Sequence, residues 1–321
     1  MEAKALWHLS ESSTVLKTTD ISAEDHSCLV RSLYSLVSTG TERLIAQGKV
    51  PESLHKAMKV PYMQGSFDFP LTYGYSIVGE VIKGPDRLIG KSVHIMHPHQ
   101  SYLYAHEQDL TILPSQIPAK RAVLISNLET VVNAIWDSKL MLGEKILVVG
   151  FGIIGALLCE VLKKFPAADI VVLEKNEFRY KKAQSLGFKA TRSLTQPSSS
   201  VDLAFNTTSN EQALQICIDS VGFEGRVVEL SWYGDQPVNI QLGNSFHHLR
   251  KKIISSQVSR IPGHMTNRWD YQRRKKLIFD LLVDTRFDEL LTDEISFDKA
   301  PDFFHQLRSG PVDPIGTIIK Y

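Results

Sequence analysis

Two rhythms of apolar and polar positions divide the 321-residue chain. Up to about residue 120 the pattern is short alternation. Leu29-Val30-Arg31-Ser32-Leu33-Tyr34-Ser35-Leu36-Val37 reads as a strand, as do Ile77 to Ile82 and Ser92 to Met96, with breaks at Gly84-Pro85 and Gly90. Sustained helical period is scarce there, which predicts a small β-barrel-like domain. From about residue 121 to 258 the rhythm becomes β-α-β. Strands are predicted at Ile146–Val149, Ile170–Leu173, Val201–Asn206, Arg226–Ser231 and Ile253–Gln257. Helices fit between them at Ile153–Lys164, Glu177–Leu186 with Gly187 as its stop, and Asn210–Val221 with Asn210 as its cap. This alternation predicts an α/β, doubly wound parallel sheet covered on both faces, with its ligand at the carboxyl ends of the strands. Beyond it, helices are predicted around Trp269–Val283 and Lys299–Leu307 and a closing strand at Gly316–Lys320, and Gln196-Pro197-Ser198-Ser199-Ser200 reads as a loop.

Composition narrows the class. Hydrophobic content of 43% and charged content of 22% are those of an ordinary soluble globular protein. A formal net charge of +1 gives no global field for nucleic acid, an anionic membrane or acidic substrates, so the expected partner is a small molecule. Cys28, Cys159 and Cys217 form no Cys-x-x-Cys pair, which argues against a disulfide framework and a four-cysteine zinc site. Met1 to Trp7 lacks the apolar core of a signal peptide, and no apolar run reaches membrane-spanning length. A cytoplasmic protein is the expectation.

The densest chemical signal is Lys145-Ile-Leu-Val-Val-Gly150-Phe-Gly152-Ile-Ile-Gly155. A β-branched run enters Gly-x-Gly-x-x-Gly and an apolar helix leaves it. Gly150 permits the tight turn, Gly152 lets a pyrophosphate approach the backbone, and Gly155 lets helix and strand pack closely. The N–H groups at Ile153, Ile154 and Gly155 then face the phosphates. Glu174 ends the second strand, where a carboxylate accepts hydrogen bonds from an adenosine ribose and repels a 2′-phosphate. NAD(H) is therefore favoured over NADP(H), although Lys175 and Arg179 are compatible with the latter. Asn206-Thr207-Thr208, Ser231-Trp232-Tyr233 and Gln257-Val258 close later strands and are expected to approach the ribose and nicotinamide.

Other segments carry a family likeness. Ser38-Thr39-Gly40-Thr41-Glu42, Gly74-Tyr75-Ser76-Ile77-Val78-Gly79-Glu80-Val81, the glycine motif and Gly225-Arg226-Val227-Val228-Glu229 resemble the medium-chain dehydrogenase/reductase (zinc-type alcohol dehydrogenase-like) superfamily over essentially the full length. With Tyr73-Gly74-Tyr75, His97-Pro98-His99-Gln100 and Asn127 to Trp136, the likeness is nearest the bacteriochlorophyllide a dehydrogenase-like branch. The resemblance implies a GroES-like β-barrel-type catalytic domain over 1–120, completed by 259–321, and a Rossmann domain over 121–258. It also implies a homodimer. The superfamily's catalytic zinc needs a cysteine, a histidine and a third Cys, Glu or Asp. By motif position this chain has Thr39, then Tyr75-Ser76, then Glu129 slightly out of register, and the structural zinc lobe is missing. The zinc ligands are lost, and no metal is expected.

Without a Lewis acid, hydroxyls or imidazoles must polarise the substrate. Tyr75 and Ser76 at the former metal position, Thr41 just after the former cysteine position, and the imidazoles of His97 and His99 are the candidates, with Glu129 as a nearby carboxylate and Asn133 one helical turn beyond it. The expected function is a zinc-independent NAD(P)(H)-dependent oxidoreductase acting on a carbonyl, secondary alcohol or conjugated enone. Two alternatives stay open: a dinucleotide-binding protein without turnover, and a metallo-dehydrogenase with an unusual set drawn from His94, His97, His99, His106 and Glu107. The basic run Arg273-Arg274-Lys275-Lys276 reads as a solvated helix face.

Overall fold

The computed structural model describes residues 1–23, 27–194 and 200–321; Gln196 to Ser199 of the expected serine-rich loop lie outside them. The chain forms two compact units. One comprises Met1–Ser126, Leu282–Val312 and Gly316–Tyr321, the other Asn127–Leu281 and Asp313–Ile315. The helix Tyr271–Leu282 therefore falls almost wholly in the second unit, whereas the sequence boundary at 258 assigns it to the first. Its Arg274 explains the difference. The guanidinium is buried and donates to Asn133 Oδ1 at 3.0 Å and the Val258 carbonyl at 2.9 Å, so this member of the basic run ties the helix down rather than meeting solvent.

In the first unit a mixed sheet runs Asp293–Ser296, Thr317–Lys320, Ser27–Val37, Ile77–Lys83, Ser92–Ile95, Thr111–Ile112, with Tyr102–His106 also on Ser27–Val37. All pairs are antiparallel except the first. A smaller antiparallel sheet joins Ser13–Asp20, Glu2–Ser10 and Leu71–Thr72. Val30, Ile77, Val81, Val93, Ile95 and Leu103 fill one core; Leu6, Val37, Phe297, Phe303, Phe304 and Ile319 fill another, which brings the C-terminal helix Ala300–Ser309 onto the N-terminal strand.

The second unit is a six-stranded, wholly parallel sheet in the order Lys189–Thr191, Asp169–Leu173, Lys145–Val149, Val201–Asn206, Val221–Glu229, Lys252–Ser255. The order reverses between Lys145–Val149 and Val201–Asn206. A crevice for a ligand belongs beyond the carboxyl ends of those two strands. Asn176 and Asn210 cap the following helices through side-chain oxygens that accept from Arg179 N–H and Ala213 N–H. Gly187, at φ +83°, stops the first of them in the left-handed region. Among the described residues no helix is long and apolar enough to cross a membrane.

Candidate functional site

In the second unit the glycine turn stands at the reversal point. Gly150 has φ +96°, and a Cβ there would meet Thr207 Oγ1 at 2.7 Å and Thr208 Cγ2 at 2.6 Å. A Cβ on Gly155 would lie 2.1 Å from the Gly150 carbonyl oxygen, so strand and helix touch through backbone alone. Gly152 differs: its Cβ position meets nothing nearer than Arg179 Nη1 at 3.5 Å. It is also the N-cap of the helix Ile153–Leu162 and provides no side-chain cap. The N–H groups at Ile153, Ile154 and Gly155 thus begin a helix beside a glycine that a phosphate can approach.

Glu174 is buried, and its two oxygens accept from Phe151 N–H at 2.6 Å and Asn176 N–H at 2.7 Å. The acid is thereby fixed against the glycine loop. Lys175 is exposed, and its carbonyl accepts from Arg192. Arg179 donates to the carbonyls of Asp313 and Pro314, each at 3.1 Å. This donor set fits a dinucleotide: an uncapped helix start, an open glycine and a fixed carboxylate at the second strand's end.

The other expected cofactor residues are more occupied. Thr207 Oγ1 donates to the Val149 carbonyl at 2.9 Å and lies 3.2 Å from the Gly150 carbonyl, so it braces the turn. Asn206 Nδ2 donates to Glu229 Oε2 at 2.8 Å, while its Oδ1 accepts from Thr208 Oγ1 at 2.9 Å. Ser231 donates through N–H to Glu229 Oε1 and through Oγ to the Thr208 carbonyl, both at 2.7 Å. The hub is Glu229, whose carboxyl burial pushes up despite the donors from Asn206, Ser231 and Tyr233. Sequence reading treated Glu229 only as part of a family motif; its signal was an acid ending an apolar strand. Gln257 accepts from Ser259 N–H at 2.7 Å through Oε1 and from Asn133 through its backbone carbonyl. Glu129 pairs with Lys275 at 3.0 Å and Arg274 at 3.7 Å, an anchorage that its sequence left unseen.

In the first unit the helix Thr39–Ala46 starts at Ser38, and Glu42 folds back so that Oε1 accepts from Ser38 N–H at 2.7 Å. Glu42 Oε2 meets His99 Nε2 at 2.9 Å, His99 Nδ1 meets Ser35 Oγ at 2.8 Å, and Ser35 meets the Tyr321 hydroxyl at 3.0 Å. Glu42, His99 and Ser35 are buried. The imidazole packs so close to Gly74 (φ +130°) that a Cβ there would stand 2.9 Å from His99 Cδ2. Both His99 nitrogens are engaged, so it positions the helix start.

That helix start holds Tyr75. The phenol is hydrogen-bonded by the side chains of Ser38 and Thr41, and burial, opposed by those two bonds, pushes it up to about 12. Tyr75 thus stands beside two hydroxyls, each able to donate or accept, and its own hydroxyl does both. Ser76, just before the strand Ile77–Lys83, is engaged elsewhere. Its hydroxyl donates to the Val123 carbonyl at 2.6 Å and lies 3.1 Å from His94 Nε2. Tyr75, Thr41 and Ser38 are therefore brought together, and Ser76 is turned away from them. Among the described residues no three or more His, Cys, Asp or Glu side chains are grouped to hold a metal ion.

His97 is separate from this cluster. Its Nδ1 lies 2.8 Å from the Pro98 carbonyl and its ring stacks on Tyr62 at 5.1 Å. Burial holds His97 down to about 4, and burial with Arg308 alongside holds His8 down to about 3, both from the ordinary 6.5. These folded values lie below the unfolded one, so the unfolded chain binds the extra protons. Stability is complete above about pH 6.5 and is lost as pH falls through the folded values, by about 3 kcal/mol for His97 alone. Melting temperature is expected to be level above neutrality and to drop steadily on acidification, with a shallower drop in His97→Asn. A melting temperature that rises on mild acidification would refute this.

Comparison with known proteins supports the same architecture. No family model matches the chain. A curated relative, (R,R)-butanediol dehydrogenase of Bacillus subtilis (strain 168), is 27% identical over 207 residues, half of this chain and 59% of the relative's own length. The crystal structure of 2R,3R-butanediol dehydrogenase from Bacillus subtilis superposes with a TM-score of 0.78 at 19% identity, covering 99% of both chains. Acetophenone reductase from Geotrichum candidum NBRC 4597, in complex with NAD, gives 0.78 at 17% identity over 100% of this chain and 97% of its own. The chain has the GroES-like plus Rossmann fold of medium-chain dehydrogenases.

Proposed function

We propose that this chain is an NAD(P)(H)-dependent oxidoreductase that interconverts an alcohol and a carbonyl, or reduces a conjugated enone, without catalytic zinc. The observation that carries the reading is the Tyr75 hydroxyl, gripped by Ser38 and Thr41 at the motif position where the superfamily places metal. The relatives support the dinucleotide chemistry. One acts on butanediol by name, and a solved structure of the same fold is an acetophenone reductase holding NAD. Their substrates suggest the class to test first: small vicinal diols, diketones and aryl ketones.

In this reading Gly152 and the N–H groups of Ile153 and Ile154 bind the pyrophosphate, and Glu174 accepts from the adenosine ribose hydroxyls. The bound dinucleotide supplies or accepts the hydride. Tyr75 donates a hydrogen bond to the substrate oxygen, and the alkoxide left by hydride addition takes its proton from water, which receives the proton back when the alcohol is oxidised. A group held near 12 stays protonated at neutral pH and serves as a donor rather than a base. Glu42 and His99 keep the helix start, and hence both hydroxyls, in place.

NAD(H) is the preferred cofactor in this reading. NADH is expected to bind at least about tenfold more tightly than NADPH, because the fixed Glu174 carboxylate faces any 2′-phosphate. Glu174→Gln is expected to narrow that gap by weakening NADH and strengthening NADPH in fluorescence titrations. A wild-type chain that prefers NADPH would contradict the assignment. The reading also includes a cytoplasmic homodimer, which sedimentation of the purified chain tests.

A further inference from the structure

We propose that the first unit carries a second small-molecule site, apart from the hydroxyls around Tyr75, that binds a short neutral polyol or sugar-like ligand. A cavity of about 230 Å³ opens between Asp20–Ser22, the Tyr62–Gln64 segment and the chain from His97 to His106. That is the liquid volume of about eight waters. Ser38, Thr41, Glu42, Tyr75 and His99 take no part in its wall.

His97 is its anchor. The residue is 5% exposed, and its Nδ1 is committed to the Pro98 carbonyl as donor, which leaves Nε2 unprotonated in the neutral ring. Nε2 has no partner among the described residues, and the imidazole lines the cavity. Because burial keeps the ring neutral at physiological pH, it offers a fixed acceptor rather than a charge. The Tyr62 ring stacked against it is held at φ +61°, a region that aromatic residues rarely adopt. Two bonds maintain that conformation: Tyr62 donates to Asp109 at 2.6 Å and accepts from His106 N–H at 3.0 Å. The wall is built in advance of any ligand.

The remaining wall selects the ligand class. Gln100 Nε2 donates to the Tyr102 carbonyl at 2.6 Å, so its own carbonyl oxygen is left as an acceptor, and Gln64 is an exposed amide that donates and accepts. Tyr104 adds a ring with a hydroxyl. Among the described residues no lysine or arginine lines the cavity, so an anion lacks a partner there, and the one described carboxylate in the lining, Asp20, is exposed at the rim. Groups that alternately donate and accept around a small volume match hydroxyls, each of which does both, and an aromatic face matches the C–H surface between them.

The test needs neither cofactor nor turnover, so it is independent of the dehydrogenase reading. The full chain is titrated with D-sorbitol and with erythritol while the His97 ring nitrogens are followed by ¹⁵N NMR. A saturable shift of Nε2 is expected. His97→Asn, which keeps a donor for the Pro98 carbonyl and removes the acceptor, is expected to weaken binding by at least about tenfold, and the exposed change Gln64→Ala by severalfold. Absence of any His97 shift with either polyol overturns the proposal. So does an equal affinity in both variants, or a shift produced by inorganic phosphate in place of the polyols.

Discussion

Tyr75→Phe is expected to lower kcat/KM by about 10²- to 10³-fold while leaving NADH affinity unchanged. The magnitude is that of one preorganised donor removed from a developing oxyanion. The change keeps the ring and removes the hydroxyl that stands beside Ser38 and Thr41. Those two hydroxyls act through Tyr75, so their removal is expected to cost less, and Thr41→Val should fall between the wild type and Tyr75→Phe. A structural role for the phenol would show itself differently. Stability and NADH binding would suffer with turnover, since the buried Ser38 and the half-buried Thr41 would lose a partner. Tyr75→Phe enzyme with turnover within about threefold of wild type would remove Tyr75 from the mechanism.

Gly155→Ala is expected to destabilise the second unit and abolish dinucleotide binding. Two effects oppose each other. Alanine in place of glycine inside a helix gains about 1 kcal/mol of propensity. The added Cβ, however, would stand 2.1 Å from the Gly150 carbonyl oxygen, a backbone atom in a turn already held at φ +96°. Overpacking of this kind costs about 1–3 kcal/mol or more, and the turn cannot yield without moving Gly152 and the helix start. The clash therefore wins, and the atoms that shift are the ones a pyrophosphate would contact. Denaturant unfolding and NADH titration read the two consequences separately. An alanine variant as stable as wild type, with unaltered NADH binding, would contradict the packing argument.

The parallel sheet was legible, except for its edge strand Lys189–Thr191, because apolar runs such as Ile146–Val149 and Ile170–Leu173 form the centres of its strands. Five predicted strands and three helices lie where the residues place them, with ends displaced by a few positions; Val221–Glu229 begins five residues earlier than Arg226. The hairpin Glu2–Ser10 with Ser13–Asp20 was not legible. Its buried positions Ala3, Ala5, Leu6 and His8 follow no clean apolar alternation, and its second strand is largely polar. The site shows the same limit. Tyr75, Thr41 and His99 stand out singly by motif. That Glu42 pairs with His99 across 57 residues, or that Arg274 turns inward to Asn133, depends on strand pairing and helix packing that no local pattern encodes. Ser76 illustrates the reverse case: it shares a motif position with Tyr75, yet its hydroxyl is committed to the Val123 carbonyl.

The most direct test of the central claim is the rate of NADH oxidation with butane-2,3-dione and acetophenone, measured against zinc bound per chain in chelator-dialysed protein. Turnover undiminished at substoichiometric zinc is expected. Turnover that vanishes with the metal and returns in proportion to added zinc would contradict it.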